Sequence, residues 1–324
     1  MFDANHLING FGPRFPTGNM DVQTYMGPVT TTVIQWQTWR KPRGAKMVYM
    51  IAVGAGSSGG CGLNTGTTSG GGAGGGSGAM SYCAIPAVLL PDELFVQAGN
   101  GGRQPATLVS AAVGVAGIPS YVCLEPTSLV AQLTVLFANA GAATGTAATT
   151  TAGGAAGTAA AVATIANMPF AGRGFYQFLA GAAGAAGGGS TAAGASLTTP
   201  FQTGLPVTGG AGGGGASATP GAGGTISHPF SMGSVFINNY AAAAASSGAT
   251  PAARGSIIQP HKFNMFYGGF GGGGGNQTAG GAAGAGGDGG PGCGGGGAGG
   301  ATTTNATLAR PGDGGPGYVI IASY

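Results

Sequence analysis

The sequence predicts a mainly β fold: a small antiparallel β-sandwich with long glycine-rich segments and little helix. Three observations carry this. The apolar run Met47-Val48-Tyr49-Met50-Ile51-Ala52-Val53 reads as one strong strand and passes straight into glycine at Gly54. A second apolar run, Tyr318 to Tyr324, ends the sequence behind Gly312-Asp313-Gly314-Gly315-Pro316-Gly317 and is expected to pair with the first. Between them 74 of 324 residues are glycine, about three times the ordinary share. A chain with so few side chains must be held by its own backbone hydrogen bonds.

The remaining elements follow in order. Residues 1–30 read as an irregular docking arm, with Phe2, Leu7, Ile8, Phe11 and Phe15 interrupted by Gly12, Pro13, Pro16 and Gly18. Such a segment gains order by lying on its own domain or on a partner. Residues 31–124 read as the β-rich first half of a glycine-rich domain. Within it, 29–39 is rich in β-branched and aromatic types and is expected as a strand. The basic cluster Arg40, Lys41, Arg43, Lys46 around Pro42 and Gly44 is expected as a solvated turn. Residues 79–85 alternate, Leu94–Ala98 ends at the turn signal Gly99-Asn100-Gly101-Gly102, and 106–115 and 120–124 are further short strands. Residues 125–265 form an Ala/Gly-rich insertion. Its stretch 128–137 fits a helix, with Leu129, Leu133, Leu136 and Phe137 on one face, or a buried strand; the helix is favoured. Ala159–Ile165 and Phe175–Leu179 are apolar anchors. Residues 266–324 complete the domain with glycine and the closing strand.

Charge, cysteine and motif content exclude several functions. Only 10 Lys+Arg and 7 Asp+Glu are present, summing to +3, so neither a charged disordered tail nor a nucleic-acid surface is indicated. The N-terminal sequence has an acid where a secretory signal needs basic residues, and no apolar window approaches a membrane span. Cys61, Cys83, Cys123 and Cys293 are widely spaced, which suits free thiols better than a zinc site or a disulfide framework. Gly54-Ala55-Gly56-Ser57-Ser58-Gly59 follows a strand and fits half of a dinucleotide fingerprint. The residues after it form no helix to hold a pyrophosphate, and the first acid comes late, at Asp92. No cofactor is expected. The seven carboxylates are dispersed, and His6, His228 and His261 lie in no catalytic motif, so the chain does not read as an enzyme.

The motifs resemble a family when taken in sequence. An aromatic lead-in precedes the strand Pro42-x-Gly44-Ala45-x-x-Val48. Gly54-Ala55-Gly56 and further glycines follow, then Leu94-x-Val96-Gln97-Ala98-Gly99-Asn100-Gly101-Gly102. Later come Gly-Gly-Phe-Gly-Gly-Gly-Gly-Gly at 268–275 and the Gly312–Ile321 strand entry. This order resembles the glycine-rich domain of tailed-phage tail fibres, fibre-tip adhesins and other virion appendages, over about 33–124 and 266–324. The glycine runs here are shorter and more alanine-diluted, and the middle is longer. The resemblance implies a virion structural protein without a signal peptide, its partners a fibre shaft, tail or capsid, its assembly a homotrimer or a single capping chain. It implies that glycine runs form bundled polyglycine II helices whose distal loops contact a host surface glycan or outer-membrane protein. Ordered Ω-like loops on a sandwich are the other reading of the same runs.

The stretch 226–240 combines aromatics, amides and a histidine, so His228, Phe230, Asn238, Asn239 and Tyr240 are the candidate receptor contacts. The plainer reading is that Phe230, Val235, Phe236 and Ile237 fill a small core. Trp36, Trp39, Arg40 and Lys41 are the candidate particle-docking residues. A capsid-decorating protein without a receptor role and a bacterial Gly/Ala-rich surface protein are the rival assignments. Absence of a short exact repeat counts against the second.

Overall fold

A computed structural model describes residues 20–28, 35–64, 67–104, 107–127, 131–143, 146–162, 168–197, 207–226, 257–258, 265–266, 268–269, 271–274, 282–302 and 308–324. The strands are β1 (Asp21–Met26), β2 (Gln37–Arg40), β3 (Met47–Val53), β4 (Met80–Pro86), β5 (Glu93–Gln97), β6 (Ser120–Cys123), β7 (Thr134–Ala138), β8 (Phe175–Leu179), β9 (Ile257–Ile258), β10 (Met265–Phe266) and β11 (Tyr318–Ser323). Two antiparallel sheets have the orders β1-β11-β3-β4-β8 and β2-β5-β6-β7, and β9 pairs with β10. The closing strand does pair with β3, from Tyr318 opposite Val53 to Ser323 opposite Val48. It is the inner strand between β1 and β3.

The sheets face each other as a sandwich. Trp39, Leu94, Val96, Val122, Val135 and Leu136 of the four-stranded sheet pack on Val48, Met50, Cys83, Ile85, Val319 and Ile321 of the five-stranded one. In β3 and β5, alternate residues turn to this core, as the period of two requires. A second cluster joins Val53, Met80, Tyr318 and Ile320 to Val207, Cys293 and Ala182, where the strands pass into glycine.

Four sequence expectations change. Within the arm, Asp21–Met26 forms β1 on the edge of β11; residues 1–19 lie outside the described residues. The strand expected at 29–39 is seen at Gln37–Arg40, and 29–34 lie outside the described residues. The helix favoured at 128–137 is instead one 3-10 turn, Ala131–Leu133, followed by β7. Thr134 and Val135 are β-branched and β6 is there to pair with, so the long-range ladder prevails over a short helical face. Residues 107–115 are irregular rather than a strand, for the reason given next.

The glycine segments are not loops wrapped around the sandwich. They run side by side, and their hydrogen bonds advance in steps of three. Gly72, Gly75 and Gly78 donate to the carbonyls of Ala298, Gly295 and Gly292, at 2.7, 2.8 and 2.9 Å. Gly71, Gly74 and Ser77 donate to Gly188, Ala185 and Ala182. Cys61, Ser58 and Ala55 donate to Ala112, Val115 and Ile118, which accounts for the missing strand there. Three residues per turn with all bonding to neighbours is the geometry of polyglycine II. The bundled reading therefore holds.

Residues 70–79 are the axis. They exchange backbone hydrogen bonds with 54–63, 139–149, 154–157, 182–188, 210–213 and 292–298, so neighbours surround them on every side. Only Gly44, Gly172 and Gly292 have positive φ among the described glycines. Most of the rest are needed for closeness. A Cβ on Gly72, Gly74 or Gly78 would fall 2.0 Å from the carbonyl oxygen of Gly60, Gly210 or Gly54. Outer segments need glycine on one face only. In 181–187 the sequence reads G-A-A-G-A-A-G, and Gly181, Gly184 and Gly187 are the ones turned to the axis, against Ser77, Gly74 and Gly71.

Buried hydroxyls replace some ladder carbonyls. Ser57 Oγ accepts from Gly76 N at 2.8 Å, Ser77 Oγ from Ala182 N at 2.7 Å, and Thr208 Oγ1 from Gly268 N at 2.8 Å. Each is a polar group that satisfies a backbone donor inside the bundle.

Candidate functional site: two opposed poles

The strands fix the polarity of the molecule. β3, β7 and β8 each lead into a glycine segment, while β4, β6 and β11 each receive one. The sandwich therefore caps one end of the bundle, and the turns that reverse the glycine segments gather at the other.

At this far end Ser110 Oγ accepts from Asn64 N at 2.8 Å, Ser69 pairs with Ala216, and Gly70 N donates to Thr149 O. The turns 149–152 and 189–192 are closed by Thr149 N to Ala152 O and Ala192 N to Gly189 O. The turn at 217–219 is closed by Ser217 Oγ, which accepts from Thr219 N. Thr67, Thr107, Thr150, Thr151, Thr191 and Thr219 are exposed there. Among the described residues, these turns carry neither a charge nor an aromatic ring. The described part of the far end is thus a mosaic of hydroxyls, methyls and backbone amides.

The sheet end is chemically opposite. Arg40 pairs with Glu93 at 3.2 Å and Lys41 with Asp92 at 3.1 Å. Lys41 Nζ also donates to Leu90 O at 2.8 Å, which ties the β2–β3 turn to the 3-10 turn Ala87–Leu89. An open cleft of about 700 Å³ lies between those turns, lined by Arg40, Lys41, Arg43, Val88, Asp92 and Glu93. Val88 is 86% exposed. These surface ion pairs order the turns more than they stabilise the fold, since exposed pairs contribute about 0–1 kcal/mol.

Of the expected docking residues, Arg40 and Lys41 lie on this end, and Trp36 is partly exposed before β2. Trp39 must be corrected: its side chain is 0% exposed, packed between the sheets, and is not offered at the surface. The alternation of β2 explains it, because residues flanking Trp39 face outward. His228, Phe230, Asn238, Asn239 and Tyr240 lie outside the described residues. The described bundle segments on either side of them end at Ile226 and resume at Gly268. Gly268 is bonded to Thr208 beside the core residue Val207, in the half nearer the sheets.

A compensated charge cluster lies on the bundle flank. Asp313 meets Arg103 at 3.3 Å and Arg310 at 3.4 Å, and Asp288 Oδ1 accepts from Asp313 N. Burial raises the Asp313 carboxyl above its ordinary range, partly offset by Arg310. No group of three or more His, Cys, Asp or Glu able to hold a metal occurs among the described residues. No described helix is long and apolar enough to cross a membrane.

All four cysteines are buried free thiols. Burial pushes Cys61 and Cys123 up to about 11 from the ordinary 9.0, and Cys83 and Cys293 are raised further for the same reason. An unfolded thiol ionises near pH 9, so between pH 9 and 11 the folded chain holds more protons than the unfolded one. Stability should therefore be full below pH 9 and decline as pH rises toward 11. Urea midpoints measured by circular dichroism at pH 8, 9, 10 and 11 should fall in that order; a flat series would contradict the burial of these thiols.

Compared with known proteins, the chain matches no family model and no curated sequence.

Proposed function

We propose that this chain is a structural virion protein of a phage, a tail-fibre or spike-tip component that contributes to host receptor binding. The observation that carries the reading is the opposition of the two poles. One end combines ion pairs, a cleft and the point where the N-terminal arm enters, which suits attachment to a larger particle. The other is an uncharged, hydroxyl-rich surface held out on a stiff bundle, which suits contact with a second surface. Backbone hydrogen bonds hold that surface without flexible side chains, so little conformational entropy is lost on binding.

The reading makes the far-end turns the primary contact surface and the 226–240 segment a secondary one, because its flanks lie toward the sheets. Its host-side partner is an outer-membrane protein or a surface glycan. Purified protein should compete with particles for adsorption to host cells. Exchanging Thr150, Thr191 and Thr219 for lysine should lower that competition at least tenfold, whereas Arg43→Ser at the sheet end should not change it. Equal loss from both ends, or no competition by the wild type, would refute the tip assignment. Antibody-gold label spread over the capsid would favour a decorating role instead.

A further inference from the structure

We propose that β8 is an acceptor edge, and that residues 1–19 of a second copy of this chain add to it as an extra strand. The inference goes beyond receptor binding and does not depend on it. Natural sheets guard their edges with charge, proline, bulges or covering segments, because an open edge is a template for another strand. Three of the four edges of the two sandwich sheets are guarded. β1 begins at Asp21 and is followed by Gly27-Pro28, β2 carries exposed Arg40, and β7 is buried at all but one position. β8 reads Phe-Tyr-Gln-Phe-Leu, with neither charge nor proline, and among the described residues it is paired on one side only, with β4. Phe175 on it is 59% exposed, the largest apolar side chain so exposed among the described residues.

The arm has the matching chemistry. Residues 4–13, A-N-H-L-I-N-G-F-G-P, are without formal charge and carry Leu7, Ile8 and Phe11, enough length to line a five-residue strand. Its position favours a neighbour over its own chain. The arm enters at Met20, next to Asp21, which pairs with Ser323. That is the end of the sheet away from the bundle. β8 starts at the same end, where Phe175 pairs with Ala84, but at the opposite edge. Its own β8 is four strand spacings away, about 19 Å. In a head-to-tail ring, the β1 edge of one copy faces the β8 edge of the next, so the arm crosses one junction. All bundles then point the same way.

The test uses the full chain and two complementary variants. Light scattering should show the full chain as a closed oligomer. Deletion of residues 1–19 and the double substitution Phe175→Lys with Gln177→Lys should each give monomers with unchanged circular dichroism. Mixing the two variants should restore one-to-one pairs, since one supplies an intact edge and the other an intact arm. If the double substitution impairs folding, Phe175→Ser serves as the milder edge variant, with the same expected loss of assembly. A monomeric full chain, an oligomer that survives both changes, or a mixture that stays monomeric would each overturn the proposal.

Discussion

Gly74→Ala should remove cooperative folding. The added Cβ would lie 2.0 Å from the Gly210 carbonyl oxygen and 2.4 Å from its carbon. Neither group can give way. Gly210 N donates to Gly75 O at 2.9 Å, and Gly74 N donates to Ala185 O at 2.8 Å, so any shift that relieves the clash breaks ladders on both sides. Overpacking a side-chain core costs about 1–3 kcal/mol because side chains can rotate away. A backbone-on-backbone clash has no such outlet, and a loss above about 4 kcal/mol is expected, enough to unfold a domain of ordinary stability. The adjacent position is the control. Ala73 is buried and its methyl lies near Gly154, so Ala73→Gly should cost only about 1–2 kcal/mol, through one lost methyl and greater unfolded-state freedom. Urea denaturation followed by far-ultraviolet circular dichroism checks both. Equal effects at 73 and 74 would mean that the glycines are tolerated rather than required.

Deletion of residues 318–324 should be at least as damaging. β11 is hydrogen-bonded on both sides, to β1 and to β3, and its removal leaves two separated edges in the middle of a sheet. It also removes Val319 and Ile321 from the sandwich core and Tyr318 and Ile320 from the junction with the bundle. Each buried aliphatic side chain is worth about 1.5–3 kcal/mol. The expected product is insoluble or fully protease-sensitive protein. Ile321→Val, which keeps the ladder and removes one methylene, should cost about 0.5–1.5 kcal/mol and leave a cooperative transition. A truncated chain that stays soluble and resists trypsin as the wild type does would show that the bundle stands without its sandwich.

The two strands named first were legible because each is a compact apolar run bounded by glycine, and both paired as expected. β4 and β5 were legible because alternation encodes a face, and β6 as a short run bounded by proline. β1 was hidden: Asp21-Val22-Gln23-Thr24-Tyr25-Met26 buries only Tyr25, so its partner and not its pattern makes it a strand. The arrangement of the bundle was the least legible part. A glycine has no side chain to record which neighbour it meets, and ladders made only of backbone leave no apolar period. One signal was present: glycine at every third residue in Gly181, Gly184 and Gly187 marks a helix with one face turned inward. Of the basic cluster expected as a solvated turn, Arg40 is exposed at the end of β2, whereas Lys41 is largely covered by its bonds to Asp92 and Leu90 O. Trp39 was not legible as a core residue, because an aromatic between polar neighbours reads equally well as a contact or as the inward residue of an edge strand. The threonine-bearing turns were passed over, since their convergence depends on the bundle.

The central claim is that residues 70–79 form a hydrogen-bonded axis, every glycine amide in it donating to a neighbouring segment, despite having almost no side chains. Native-state hydrogen–deuterium exchange, resolved to this segment by fragment mass spectrometry, tests it most directly. The account predicts protection in 70–79 comparable to that of β3 and β11, with exchange limited by global unfolding. Exchange of these glycine amides at unprotected rates, while the strands stay protected, would show a sandwich carrying loose loops and contradict the account.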